Sequence, residues 1–258
     1  MNQLKQLQEL LKTYEKVAIA YSGGCDSHFL YRVAVMTLGK ENVLAILCQG
    51  EMMSREDIED AKAFLEDEQS VIVDVDVLAC DAFLYNCKDR CYHCKKMIMS
   101  HVIKEAHKRG FLRVLDGQNK DDQGVYRPGI QACRELGILS PMAELGLTKN
   151  QIRSYSQELK IETYNKPANA CLATRFPYGT FLTHEKLQLV SEAEKRFHQK
   201  GINHVRVRVH EKIARIEIEK HDFQKVIDDE VLVSDLEALG FDFITLDLKG
   251  ISSGRYDR

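Results

Sequence analysis

The chain has 258 residues, room for one α/β domain and a smaller one, with 44% hydrophobic residues and a formal net charge of -3. A near-neutral balance of 36 basic against 39 acidic residues argues against bulk nucleic-acid binding, and no apolar run approaches membrane-spanning length. Met1 to Leu7 has the pattern of an amphipathic helix, not of a secretory signal, which places the protein in the cytoplasm; its eight cysteines then read as thiols, metal ligands or catalysts before disulfides.

Residues 1–16 predict a helix. Val17 to Tyr21 has the short apolar character of a buried parallel strand, and from His28 the spacing turns helical until Gly39 stops it. Between them lies Ser22-Gly23-Gly24-Cys25-Asp26-Ser27, at the carboxyl end of a strand and the amino end of a helix. Free N–H groups and the helix dipole favour an anion there, the two glycines let the backbone approach it, and Ser22 and Ser27 add hydroxyl donors. A strand, a Gly-Gly turn and a helix without a ligand is the plain alternative. Ser-Gly-Gly-x-Asp-Ser after a strand resembles the pyrophosphate loop of the N-type ATP pyrophosphatases, and no Gly-Lys-Ser/Thr follows to make a Walker A loop. That resemblance implies that Ser22, Gly23, Gly24, Asp26 and Ser27 hold ATP, with Asp26 beside the phosphates and near magnesium.

Asn42 to Cys48 predicts a second buried strand, after which Gln49, Gly50 and Glu51 reach the same edge, where a base and ribose can be gripped. Ser54 caps a helix to about Leu65, and residues 71–76 make a third strand. This rhythm predicts right-handed crossovers in a parallel sheet. It pauses over 86–96, where Cys91 and Cys94 form a Cys-x-x-Cys pair able to turn two sulfurs toward one metal or cluster, with Cys87 just before. No second pair follows, which disfavours a four-thiolate zinc knuckle; a redox dithiol and two cysteines without a ligand role stay open. A helix over 97–108 leads to a strand over 112–115, which delivers the polar turn Asp116 to Asp122 to the sheet's active edge. Arg127, in Tyr-Arg-Pro-Gly, suits a phosphate or carboxylate as well as surface pairing. Residues 133–136 read as helix, 139–142 as extended, and 148–159 as a capped helix.

Residues 165–179 are irregular, hold two of the four prolines, and carry Cys171 four residues before Arg175, a cationic neighbour of the kind that favours thiolate. After a helix over 183–199, His204 to His210 alternates strictly and predicts a half-exposed strand with Arg206 and Arg208 on one face, in a hairpin with 213–218. Those arginines suit a phosphate, or pairing with Glu217 and Glu219. A helix over 221–239 and a strand over 241–248 complete a small α+β domain. The expected division is a PP-loop ATP pyrophosphatase domain of the adenine nucleotide alpha hydrolase type over 1–180, and an α+β substrate-binding or oligomerisation domain over 181–258.

Taken together, the pyrophosphate loop, Leu-Asp-Gly-x-Asn-x-Asp-Asp over 115–122, Tyr-Arg-Pro-Gly over 126–129, Ala-Cys-Leu-Ala-Thr-Arg-Phe-Pro-Tyr-Gly over 170–179 and Arg-Val-Arg over 206–208 resemble the LarE family. The resemblance implies an ATP-dependent sulfur transferase that adenylates a carboxylate of pyridinium-3,5-dicarboxylate mononucleotide and makes a thiocarboxylate for the nickel-pincer cofactor of lactate racemase. It puts Asp116, Asn119 and Arg127 with the ATP-binding residues, Arg206 and Arg208 on the substrate phosphate, and Cys171, Arg175 and Glu194 at the reacting groups. Glu194, in a charge-rich helix, would otherwise pass as a solvated residue. Some members sacrifice a cysteine of their own; others resemble thiolation enzymes with a [4Fe-4S] cluster on three cysteines, here Cys91, Cys94 and Cys171. A homo-oligomer is implied as well. A tRNA thiolase, an ammonia-using ligase related to NAD synthetase, and a non-enzymatic adenylate-binding module are the competing readings.

Overall fold

Runs that are apolar on both faces become the inner strands of a covered parallel sheet, and two such runs sit side by side in the larger sheet of this protein. The computed structural model describes residues 2–65, 69–122, 128–167 and 170–252. Its helices and strands run, in chain order, α1 Gln3–Tyr14, β1 Val17–Tyr21, α2 Cys25–Leu38, β2 Val43–Gln49, α3 Arg55–Ala63, β3 Ser70–Asp74, α4 Asp81–Leu84, α5 Arg90–Lys108, β4 Arg113–Leu115, α6 Pro128–Glu135, α7 Pro141–Glu144, α8 Lys149–Glu158, α9 His184–His198, β5 Val205–His210, β6 Ile213–Ile218, α10 Phe223–Ile227, α11 Glu230–Ala238 and β7 Phe243–Leu246. Among the described residues no helix is long and apolar enough to cross a membrane. Two compact units result, one from segments 1–50, 57–77 and 89–169, the other from 51–56, 78–88 and 170–258.

The first unit holds a four-stranded parallel sheet in the order β3-β2-β1-β4. Every residue of β2 but Gln49 is buried, as is every residue of β1 but Ala20, whereas β3 alternates and shows Ile72 to solvent, as an edge strand should. The chain travels outward from β1 through β2 to β3, then returns to place β4 on the far side of β1. Strand order therefore reverses at β1, and the crevice beyond the carboxyl ends of β1 and β4 is where open α/β sheets bind ligands. This is the parallel α/β fold that the rhythm of the sequence predicts.

Two expectations change in this unit. The Cys-x-x-Cys stretch does not pause: α5 starts at Arg90 and carries Cys91 and Cys94 in its opening turns. No helix breaker lies between Arg90 and Lys96, and Tyr92 and Lys96, one turn apart, both hydrogen-bond Glu135 of α6, at 2.5 and 2.9 Å. Residues 139–142 are only partly extended. Leu139 bridges Leu115 in parallel, but Pro141, preset for a first helical position, opens α7.

In the second unit, β5 and β6 pair antiparallel from Val205↔Ile218 to His210↔Ile213, and β7 joins β6 in parallel. The hairpin is as expected, but its exposure is not: Val205 to Val209 are all buried. The arginine face is covered, because Arg208 reaches the Thr174 carbonyl and Glu217 while Arg206 donates to the Ser252 carbonyl at 2.9 Å. The expected helix over 221–239 is two, since Asp229 breaks it and caps α11 by accepting from the Leu232 N–H at 2.9 Å.

Candidate active site

The loop after β1 has the geometry of an anion cradle. Gly24 stands at the N-cap of α2 with no side chain capping the helix, so among the described residues the first-turn N–H groups keep their outward aim. Gly23 sits at φ +71°, and a Cβ there would lie 2.5 Å from the Ala61 Cβ of α3, so both conformation and space require glycine. Ser27 Oγ accepts from the Ser22 N–H at 3.2 Å and lies 3.0 Å from Ser22 Oγ, which draws the loop's two ends together.

The turn after β4 packs straight onto this loop. A Cβ on Gly117 would lie 2.9 Å from the Ser27 nitrogen and 3.2 Å from the Asp26 carbonyl carbon, which explains the glycine between Asp116 and Asn119. Buried Asn119 donates its amide to Asp26 Oδ2 at 3.1 Å. The other carboxylate oxygen, Asp26 Oδ1, is buried with no hydrogen-bond partner among the described residues. Burial is the main force raising the Asp26 pKa; Asp122 adds to it, while Lys149 and the Asn119 amide oppose. A carboxylate left orphaned at a helix N-terminus fits a magnesium ion brought in with ATP. Asp116 has a different position: buried, it accepts from Gln118 at 2.6 Å and from Ser140 at 2.7 Å, and so shapes the turn from behind. Arg127 lies outside the described residues.

The second unit gathers buried charge. Arg175 forms a fork with Glu194 of α9, Nε to Oε1 at 2.7 Å and Nη2 to Oε2 at 2.8 Å. Glu194 Oε1 also accepts the Val207 N–H at 2.9 Å, an edge-strand donor on β5. Glu194 is thus buried, not solvated. The Nη1 of Arg175 reaches the Ala170 carbonyl at 2.8 Å and the Cys171 carbonyl at 3.5 Å, fixing the backbone that carries Cys171. Arg206 feels burial first, then the positive charges of Arg175 and Arg208, all of which push its pKa down, against Glu217 and Glu194. Three buried arginines, Arg175, Arg206 and Arg208, against two buried glutamates suit an anionic ligand.

Cys91 and Cys94 are three residues apart on α5, the first exposed and the second buried, so their sulfurs share one side of the helix. Cys171, half-buried, opens the turn Leu172–Arg175 in the second unit. Among the described residues no three histidine, cysteine, aspartate or glutamate side chains gather into a group that would hold a metal ion. Two further features escape sequence reading. Asn86, fully buried at φ +46°, donates to the carbonyls of Phe176 (3.1 Å) and Pro177 (2.8 Å) and so ties the segment before Cys87 to the loop after Cys171. Tyr21 and His28, the residues on either side of the Ser22–Ser27 loop, hydrogen-bond each other at 2.6 Å. Their symmetric flanking of the loop is the only sign of this in the sequence.

Fold and loop together define a PP-loop α/β protein, and residues 2–109 match the NAD synthase family. The likeness then narrows. The pyridinium-3,5-bisthiocarboxylic acid mononucleotide synthase of Lactiplantibacillus plantarum is 38% identical over 250 residues, 95% of this chain and 90% of that protein. An uncharacterized protein of Synechocystis sp. is 38% identical over 262 residues, 100% of this chain and 97% of its own. Another, of Methanocaldococcus jannaschii, is 31% identical over 246 residues, 94% and 93% of the two chains. The chain belongs to the LarE family, that of the Lactiplantibacillus synthase.

Proposed function

We propose that the chain is an ATP-dependent sulfur transferase that activates a carboxylate of pyridinium-3,5-dicarboxylate mononucleotide and converts it to a thiocarboxylate, in the making of the nickel-pincer cofactor of lactate racemase. The observation that carries this reading is the nearly full-length likeness to the Lactiplantibacillus synthase. The substrate carboxylate attacks the α-phosphorus of ATP and pyrophosphate leaves; a sulfur nucleophile then attacks the acyl carbon and AMP leaves. Bound with ATP, magnesium neutralises charge on the phosphate oxygens, and Asp26 would hold it. The loop N–H groups with Ser22 and Ser27 orient the pyrophosphate and stabilise charge on it as it departs. Asn119 fixes the Asp26 carboxylate, Asp116 shapes the turn behind it, and Arg127 joins the ATP side. Arg206 and Arg208 hold the substrate phosphate, and Arg175 with Glu194 sets the loop bearing Cys171 at the reacting carboxylate.

For the sulfur source the reading is a [4Fe-4S] cluster on Cys91, Cys94 and Cys171, with Cys87 adjoining; the helical spacing of the first two supports it. A second reading, in which Cys171 surrenders its own sulfur, is favoured by the hydrogen bonds that Arg175 and Thr174 make to the Ala170 and Cys171 carbonyls. Anaerobically purified protein should carry about four irons per chain, lost in Cys91→Ser, Cys94→Ser and Cys171→Ser alike. Protein that binds no iron on reconstitution and emerges from turnover lighter by the Cys171 sulfur overturns the cluster in favour of the second reading. The function itself is tested by incubating the protein with ATP, magnesium and the mononucleotide under a sulfur source. AMP and pyrophosphate should appear together with an oxygen-to-sulfur exchange in the product mass; an amide product with ammonia, or thiolated tRNA in its place, would overturn it. The setting we infer is a cytoplasmic homo-oligomer, checked by fractionation and by light scattering.

A further inference from the structure

The ATP loop is closed by two layers of side-chain hydrogen bonds. In the inner layer Ser22 and Ser27 bond each other, using the very hydroxyls that a pyrophosphate would recruit. The outer layer is the 2.6 Å bond between Tyr21, one residue before the loop, and His28 Nδ1, one residue after it. Both residues are buried, at 3% relative exposure each. The bond joins a phenol hydroxyl to an imidazole nitrogen, so one proton is shared between two buried groups. The rings are held from behind, His28 edge-on to Phe64 with centroids 4.9 Å apart and Tyr21 edge-on to Tyr31 at 5.8 Å.

We propose that Tyr21 and His28 are positioning residues, a clamp across the mouth of the loop that keeps its N–H groups converged once the ligand has taken over the Ser22 and Ser27 hydroxyls. Neither touches the reacting atoms. The clamp is a preorganisation device: it holds, before binding, a geometry that the loop would otherwise lose entropy to adopt when ATP arrives. Without it the side chains that join the two ends are the serine pair, which is consumed on binding, while the His28 N–H and Ser27 hydroxyl bonds to the Gly24 carbonyl hold only the helix side of the loop. The inference rests on the assignment of residues 22–27 to ATP.

Steady-state kinetics of Tyr21→Phe, which removes one hydroxyl and keeps the ring, is the test. KM for ATP should rise roughly threefold to tenfold, the worth of one net hydrogen bond, with KM for the mononucleotide unchanged. His28→Leu should match it, His28→Asn, whose side-chain amide can donate or accept where Nδ1 stood, should keep most of the wild-type value, and Tyr21→Phe/His28→Leu should be no worse than either single change. If His28→Leu fails to fold, Tyr21→Phe and His28→Asn decide the matter. A Tyr21→Phe enzyme whose KM for ATP stays within about twofold of wild type, or whose two KM values rise alike, overturns the clamp. Wild-type protein that never cleaves ATP to AMP and pyrophosphate overturns instead the loop assignment on which it stands.

Discussion

Glu194→Leu is expected to destabilise the protein by about 3–5 kcal/mol, the loss that follows when one member of a buried ion pair is removed and its partner stays. The side chains of Arg175 and Glu194 are 4% and 6% exposed, so water cannot take over. The carboxylate also accepts the Val207 N–H, and its loss takes the acceptor from Arg175 Nε and Nη2 and from an edge-strand donor together. Glu194→Gln keeps an acceptor for Val207 but not the charge, and should fall between. Arg175→Met/Glu194→Leu removes both charges and should recover much of the stability, since a buried pair exchanged for apolar groups is often neutral. Urea midpoints of the four proteins measure this; a Glu194→Leu loss under about 1 kcal/mol would sink the argument. The double variant also separates support from chemistry: if Arg175 and Glu194 set the reacting groups, it regains its fold but not its turnover.

The loop over Ser22–Ser27 was legible because everything it needs is local: an apolar strand, two glycines, a serine on each side and a helix. The hairpin of the second unit was legible for a similar reason, since strict alternation over His204 to His210 states its period. What alternation cannot state is what lies over the polar face. Arg206 and Arg208 are covered by partners at Thr174, Glu217 and Ser252, up to 46 residues away, and the expected half-exposed strand is buried for that reason. Glu194 shows the same limit, a charge in a charged helix whose burial depends on an arginine 19 residues earlier. Gly117 reads as a turn glycine until its approach to Ser27 shows that the turn is pressed onto the Ser22–Ser27 loop. At Asp229 the failure was of another kind: a helix period continued across a capping residue that sequence could have flagged, since Asp is a strong N-cap.

Asp26→Asn should slow ATP cleavage about 10²–10³-fold, as removal of one electrostatic contact to the departing group does. In the absence of ligand it should also make the protein more resistant to denaturant at neutral pH. The second effect has its own cause, burial. Burial raises the pKa of the Asp26 carboxyl above its unfolded value, and Asp122 adds to the rise. Between the two values the folded state binds more protons than the unfolded one, so stability is fullest below the ordinary carboxylate pKa and falls as pH climbs through the folded pKa. Asparagine keeps the shape, never ionises, and escapes that loss. Wild type and variant should therefore denature alike in acid and diverge toward neutrality, with the variant ahead. Adding ATP with magnesium should close the gap from the other side, because the compensating cation stabilises the wild-type carboxylate and has no such partner in the variant. Denaturant midpoints across that pH range, with and without magnesium and ATP, test both halves. An unliganded variant less stable than wild type at neutral pH would show that Oδ1 has a structural partner after all. A variant that cleaves ATP at the wild-type rate would remove Asp26 from the site, and with it the physical reason for an orphaned carboxylate at the start of α2: a destabilising charge held in place for a ligand that brings its own counter-ion.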